Sequence, residues 1–155
     1  MMIGPLLILF FYVLPCQGQM VKDSIVHVRA PDVTVNAGKK GLINIYISVQ
    51  KGYHIQANKV NDEFIIPTTI EVDTREIVTI EKMIFPKSKK FKLEGTTDHL
   101  LVYDGDFKIV IPFAMFEKVQ QGKYKLKATL HYQACDNKRC YFPDKIVFPI
   151  FIEVE

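Results

Sequence analysis

The stretch Gly41-Leu42-Ile43-Asn44-Ile45-Tyr46-Ile47-Ser48-Val49-Gln50 alternates apolar and polar side chains with a period of two. One side of it carries the apolar set Ile43, Ile45, Ile47 and Val49. Because successive side chains of a β-strand point to opposite faces, this pattern predicts a strand with one buried face and one wet face. Residues 123–132 repeat the pattern, with lysines on the wet face. Half-buried strands are therefore expected to build the fold.

Strand-like patterns continue along the chain from residue 23 onward, and helical stripes are not apparent. Further β-rich stretches, separated by turn residues, occupy residues 24–29, 68–72, 77–84, 107–113 and 145–154. Many short antiparallel strands favour a two-sheet sandwich or a barrel over a layered α/β fold. We predict an all-β fold, an immunoglobulin-like β-sandwich of two antiparallel sheets. Residues 86–98, which are polar, are expected to form a long mobile loop.

The composition is typical of one globular domain. The chain has 155 residues, of which 24% are charged, and a formal net charge of +3. Its lysines are scattered among acidic residues, so nucleic-acid binding is not indicated. We find no Gly-rich phosphate loop and no nucleophile–base arrangement, and we predict no cofactor. We predict no metal site. A zinc site is a weak alternative, because two cysteines need two further ligands and the histidines lack ligand spacing; they are His27, His54, His99 and His131.

The first residues indicate export. Residues 6–14 form an apolar run of signal-peptide length that is too short to span a bilayer as a helix, and the small residue Gly18 follows it. We predict a signal peptide or amino-terminal anchor over residues 1–18 and a single domain over residues 19–155, periplasmic or otherwise exported. Lipidation at Cys16 is an alternative. Membrane contact is expected only through an uncleaved or lipidated amino terminus.

Removal of such a leader leaves two cysteines, Cys135 and Cys140, which an oxidising compartment is expected to join. The loop that they close is short, so the bond contributes little as a staple. A disulfide at a strand end beside an exposed polar turn is accessible to an attacking thiolate. Lys138 and Arg139 favour the thiolate of Cys140 and Asp136 opposes ionisation of Cys135, so Cys140 is expected to be the better nucleophile. A structural disulfide that only locks the hairpin is the alternative.

The segment from Tyr132 to Pro143, with the sequence Tyr-Gln-Ala-Cys, a short polar turn and Cys-Tyr-Phe-Pro, resembles the amino-terminal domain of the bacterial disulfide reductase DsbD. The resemblance extends in consistent order to residues 51–55, 66–69 and 109–113. It implies an immunoglobulin-like periplasmic module that exchanges electrons with thioredoxin-fold proteins, with Cys140 forming the mixed disulfide. It also places a loop that caps the disulfide within residues 93–103. His54 and Gln56 stand where the family has tyrosines.

Residues beside the cysteines are candidates for partner binding. They are Tyr132, Gln133, Tyr141 and Phe142. Core or edge packing is the alternative for the two aromatic residues that follow Cys140. The function that we predict is thiol–disulfide exchange with thioredoxin-fold donors and acceptors through Cys135 and Cys140, of the protein-disulfide reductase type if the domain acts as an enzyme. The alternative is an exported, non-catalytic binding or assembly module.

Overall fold

The structure of the protein, a computed structural model, describes residues 24–60 and 64–155. The predicted leader over residues 1–18 and the lipidation alternative at Cys16 lie outside the described residues. Twelve strands follow one another along the described chain: β1 Val26–Arg29, β2 Val33–Val35, β3 Lys40–Val49, β4 His54–Gln56, β5 Thr69–Asp73, β6 Val78–Ile80, β7 Lys89–Phe91, β8 Leu100–Tyr103, β9 Asp106–Met115, β10 Gly122–Tyr132, β11 Ala134–Cys135 and β12 Asp144–Val154. No helix long and apolar enough to cross a membrane occurs in this described part.

Two four-stranded sheets form the sandwich, with strand orders β1-β3-β9-β6 and β2-β12-β10-β5. The long strands pair along their whole length, β3 with β9 and β10 with β12, both antiparallel. Only β2 departs from this pattern, because it lies parallel to β12. The all-β, immunoglobulin-like sandwich is therefore confirmed.

The alternating residues of the long strands form the core. Their buried faces meet in one hydrophobic cluster, which includes Ile43, Ile45, Ile47, Ile109, Ile111, Phe113, Leu126, Leu130, Ile150 and Ile152. Each of these side chains is at most 1% exposed. Burial of a side chain of this size contributes about 1.5–3 kcal/mol, so the cluster is the main source of stability. The alternation seen in residues 41–50 thus decides which face of the sheet is buried.

A third, smaller sheet with the order β11-β4-β8-β7 was not expected from the sequence. Its strands are two to four residues long, too short to show a period. The predicted long loop over residues 86–98 is wrong in part, since Lys89–Phe91 forms β7 by pairing with β8. Similarly, the β-rich stretch 77–84 is a strand only over Val78–Ile80, followed by a single bridge at Ile84. The third sheet carries the cysteines.

Candidate redox site

A tight hairpin holds the two cysteines. Cys135 ends β11, and Cys140 lies directly opposite it across the turn of residues 136–139, as an isolated antiparallel bridge. Their sulfur atoms are bonded at 2.05 Å. Next to the disulfide, the backbone N–H of Tyr141 donates to the carbonyl of Ala134 at 2.8 Å. The predicted pair is thus joined, and the hairpin that carries it has a backbone bond of its own.

Asp136 organises the turn. Its backbone N–H donates to the carbonyl of Arg139 at 2.9 Å. One carboxylate oxygen accepts the N–H groups of Lys138 and Arg139 at 2.7 and 2.8 Å, and the other accepts the hydroxyl of Tyr141 at 2.6 Å. The Tyr141 hydroxyl first, and then the two backbone N–H groups, lower the pKa of Asp136 to about 2. The turn is therefore held by bonds that do not involve sulfur.

The two cysteines differ in how deeply they are buried. Cys135 is fully buried, at 0% exposed, whereas Cys140 is half-buried. An attacking thiolate must approach the bond from the side of the sulfur that it strikes. The geometry therefore favours attack at Cys140, the cysteine that charge and resemblance also single out.

Strand β4 lies beside the disulfide. His54 pairs directly with Cys135, and its ring stacks on Phe91 with a centroid separation of 3.9 Å. Gln56 is fully buried, and its Nε2 lies 3.1 Å from Sγ of Cys135 and 3.6 Å from Sγ of Cys140. His54 and Gln56 thus both belong to the site.

The expected cap region over residues 93–103 is divided in two. Residues 100–103 form β8, and Tyr103 is buried with its hydroxyl donating to Asn58 at 2.6 Å. Ahead of β8, the backbone N–H of Glu94 donates to the carbonyl of Asn137 at 2.9 Å. Only the first part of the region is therefore a loop, and this loop is attached to the turn of the disulfide hairpin.

The structure places the predicted partner-binding residues Tyr132 and Gln133 inside the site. Tyr132 is only 4% exposed and belongs to the core cluster, so little of its surface is open to a partner, and its role in partner binding stays a prediction. Burial, and then the charge of Asp144, raise the pKa of Tyr132 to about 12, so its phenol stays neutral. The side-chain amide of Gln133 accepts the N–H of Ile66 and donates to the carbonyl of Tyr141, both at 3.0 Å. Gln133 thereby ties two segments together.

Exposed apolar side chains lie on these tied segments. Phe142, a predicted contact residue, is 93% exposed, and Tyr141 is half-buried with its ring centroid 6.1 Å from that of Tyr53. Two further exposed residues, Phe64 at 82% and Ile66 at 41%, were not predicted. No alternating pattern marks either residue, and the hydrogen bond from the Ile66 N–H to Gln133 places Ile66 near the hairpin.

Comparison with known proteins agrees with this geometry. Residues 22–152 match the sequence model of the family described as "Thiol:disulfide interchange protein DsbD, N-terminal". The chain belongs to this family. No curated protein sequence matches it. Membership of the DsbD amino-terminal domain family, together with the bonded cysteine pair, supports a thiol–disulfide exchange module.

Similar solved structures were found, and the ScsB and cohesin structures among them show the same fold. The N-terminal periplasmic domain of ScsB from Proteus mirabilis is 16% identical, with a TM-score of 0.60, and the match covers 84% of this chain and 48% of that one. The reduced DsbD amino-terminal domain of Neisseria meningitidis is 20% identical, with a TM-score of 0.49, and the match covers 74% of this chain and 79% of that one. The seventh ScaB type I cohesin of Pseudobacteroides cellulosolvens is 12% identical, with a TM-score of 0.52, and the match covers 84% of this chain and 92% of that one. The chain thus spans about half the length of the ScsB chain.

Proposed function

We propose that this DsbD-type domain is periplasmic and exchanges electrons with thioredoxin-fold proteins through the disulfide of Cys135 and Cys140. The observation that carries the proposal is the unequal burial of the two cysteines on a hydrogen-bonded turn: Cys135 is fully buried, and Cys140 is only half-buried. A staple needs no such asymmetry. An exchange site does, because it directs the incoming thiolate to one sulfur.

The reaction proceeds in two steps. A thiolate of a reduced partner attacks Sγ of Cys140, a new sulfur–sulfur bond forms, and the electron pair of the broken bond leaves on Sγ of Cys135. The second thiolate of the partner then attacks the partner's first sulfur, which is bonded to Cys140 in the mixed disulfide, and Cys140 leaves as a thiolate. The partner becomes a disulfide, and both cysteines of the domain are reduced. Delivery to an oxidised acceptor is the reverse sequence, starting with attack by Cys140.

The fixed turn suits repeated cycles of this reaction. The carboxylate of Asp136 and the bond between the Tyr141 N–H and the Ala134 carbonyl hold the hairpin without the sulfur bond. We therefore expect the two thiols of the reduced domain to stay close together, ready to form the disulfide again.

Phe142 is the proposed contact for the thioredoxin-fold partner. A phenylalanine exposed by 93% two residues after Cys140 is an apolar side chain that water solvates poorly. Burying it against a partner aligns the partner sulfur with the accessible Cys140. Tyr141 and the missed residue Ile66 extend this docking surface, since Gln133 ties their segments together.

The test is the reduction potential of the disulfide in the folded domain, measured by equilibration with glutathione or dithiothreitol buffers and trapping of free thiols. The proposal predicts a potential above about −300 mV, the range below which structural disulfides typically lie. Circular dichroism in the same buffers checks that the reduced domain is still folded. A disulfide that is reduced only when the domain unfolds would establish a structural role instead.

A further inference from the structure

The side chain of Gln56 contacts both sulfurs of the disulfide. Its Nε2 lies 3.1 Å from Sγ of Cys135 and 3.6 Å from Sγ of Cys140. A disulfide sulfur carries no hydrogen and can only accept, so the N–H end of the amide must face it. The shorter contact is to the buried sulfur, which is the one that leaves with the electron pair when Cys140 is attacked.

The backbone fixes Gln56 in this position. Its N–H donates to the carbonyl of Gln133 at 3.0 Å, and its carbonyl accepts the hydroxyl of Thr68 at 2.5 Å. The neighbouring residues of β4 pair with β11, with His54 opposite Cys135 and Ile55 opposite Ala134. The backbone of Gln56 is thus fixed beside Cys135 before any reaction begins, and it carries the side-chain amide there.

The other end of the same amide has no partner. Oε1 of Gln56 is buried and accepts no hydrogen bond from any residue that the structure describes. A buried acceptor without a partner destabilises a fold, and a leucine of similar size would avoid that loss. The side chain is therefore poorly explained by packing, whereas its donor end is directed at reacting atoms.

We propose that Gln56 is a catalytic residue whose side-chain N–H stabilises the thiolate of Cys135 during exchange. This inference rests on the proposed function. When a partner thiolate bonds to Sγ of Cys140, the broken bond leaves a full negative charge on Sγ of Cys135. That atom is buried and cannot be solvated by bulk water, so a donor already in place lowers the barrier. In the reverse direction the same donor holds the Cys135 thiolate before it attacks.

An amide supplies this stabilisation in a distinctive way. It carries no proton that it loses in the working pH range, so its donor strength does not change with pH. The ionisable groups beside Cys135 include His54 on β4 and Asp136 in the turn, and both stay unchanged in the variants below. Gln56 therefore assists exchange through a neutral hydrogen bond whose strength does not depend on pH.

Two variants of the full chain test the proposal. Gln56→Leu removes the donor at nearly constant volume, and Gln56→Glu replaces the amide nitrogen by an oxygen. Reduction of each disulfide by dithiothreitol needs no protein docking, and we expect Gln56→Leu to be reduced about tenfold more slowly than the unchanged domain. We expect a larger loss for Gln56→Glu, because a carboxylate repels the departing thiolate.

A second measurement separates this role from a packing role. In a background with both Cys16 and Cys140 replaced by serine, the ultraviolet absorbance of the Cys135 thiolate is followed against pH, with His54 and Asp136 unchanged. Adding Gln56→Leu should move the midpoint upward by about 1 pH unit. The matched control is Ile55→Val, a change in the fully buried neighbour on the same strand, which should lower thermal stability and leave both the midpoint and the reduction rate unaltered.

The outcomes are distinct. An unchanged reduction rate together with an unchanged midpoint in Gln56→Leu overturns the proposal for Gln56. If Gln56→Leu fails to fold, Gln56→Glu decides by the same two measurements. If the unchanged domain resists reduction until it unfolds, the proposed function fails, and the titration of Cys135 still determines whether Gln56 stabilises its thiolate.

Discussion

The carboxylate of Asp136 accepts a hydrogen bond of 2.6 Å from the hydroxyl of Tyr141. The two side chains thereby close the disulfide turn from its outer side. The bond favours the charged carboxylate and the neutral phenol, and accordingly the pKa of Asp136 is lowered to about 2 and that of Tyr141 is raised. The turn is thus sensitive to acid.

We expect the stabilising effect of this bond to vanish at low pH. The pKa of Asp136 is lower in the folded chain than the value of about 3.9 for an unfolded one, so its contribution is complete above that value and is lost as the pH falls toward 2. The melting temperature should therefore fall less between pH 4 and pH 2 in Tyr141→Phe than in the unchanged domain. The control is Tyr124→Phe, whose hydroxyl donates to a backbone carbonyl. Equal falls in all three proteins would contradict this assignment.

The unequal burial of the cysteines predicts unequal reactivity of single-cysteine variants. With Cys16 also replaced by serine, Cys135→Ser leaves the partly exposed Cys140 as the single thiol, and Cys140→Ser leaves the buried Cys135. We expect Cys135→Ser to react with an aromatic disulfide reagent on the order of tenfold or more faster. Stopped-flow absorbance measures the two rates. Similar rates would show that Cys135 becomes accessible in the reduced domain.

The exposure of Phe142 predicts a role in docking but not in chemistry. We expect Phe142→Ser to weaken binding of a thioredoxin-fold partner by about 1–2 kcal/mol, because an apolar contact is lost. The rate of reduction by dithiothreitol should not change. Val147→Ser is the matched control, since Val147 is also exposed, at 56%, but lies on β12 of the sandwich. A comparable loss of binding in both variants would place docking elsewhere.

Gly41 is required for packing within the first sheet. A methyl group at this position would lie 2.5 Å from Cζ of Phe113, its buried partner on β9. We expect Gly41→Ala to lower the free energy of unfolding by about 1–3 kcal/mol, because the fully buried ring of Phe113 must shift within a packed core. Urea denaturation measures the loss. Leu42→Ala, at the next and exposed position, should cost clearly less, and an equal cost would argue against the clash.

The sandwich could be predicted because each of its long strands has one buried face. In β3 and β10 the apolar residues recur at every second position, and that period is local to the sequence. Strands β4 and β11 were missed for the opposite reason: they are three and two residues long, and pairing between distant segments creates them. Their tertiary context overrides a weak local preference.

The cysteine pair could be predicted, but its surroundings could not. Cys135 and Cys140 are close in sequence, and their export context and charged neighbours are visible in one segment. Gln56 is 79 residues away from Cys135, and nothing in its own segment indicates contact with sulfur. The resemblance identified the position as a departure from the family. Only the pairing of β4 with β11 brings the amide to the disulfide.

The hydrogen-bonded turn of residues 136–139 has a consequence for how partners are released. If the hairpin keeps its shape when the disulfide is reduced, a partner binds the same surface on the oxidised and on the reduced domain. A partner then cannot distinguish the reduced domain from the oxidised domain by its shape. Turnover is set by the sulfur chemistry itself, and the direction of electron flow follows the relative potentials of the partners and not a change of conformation.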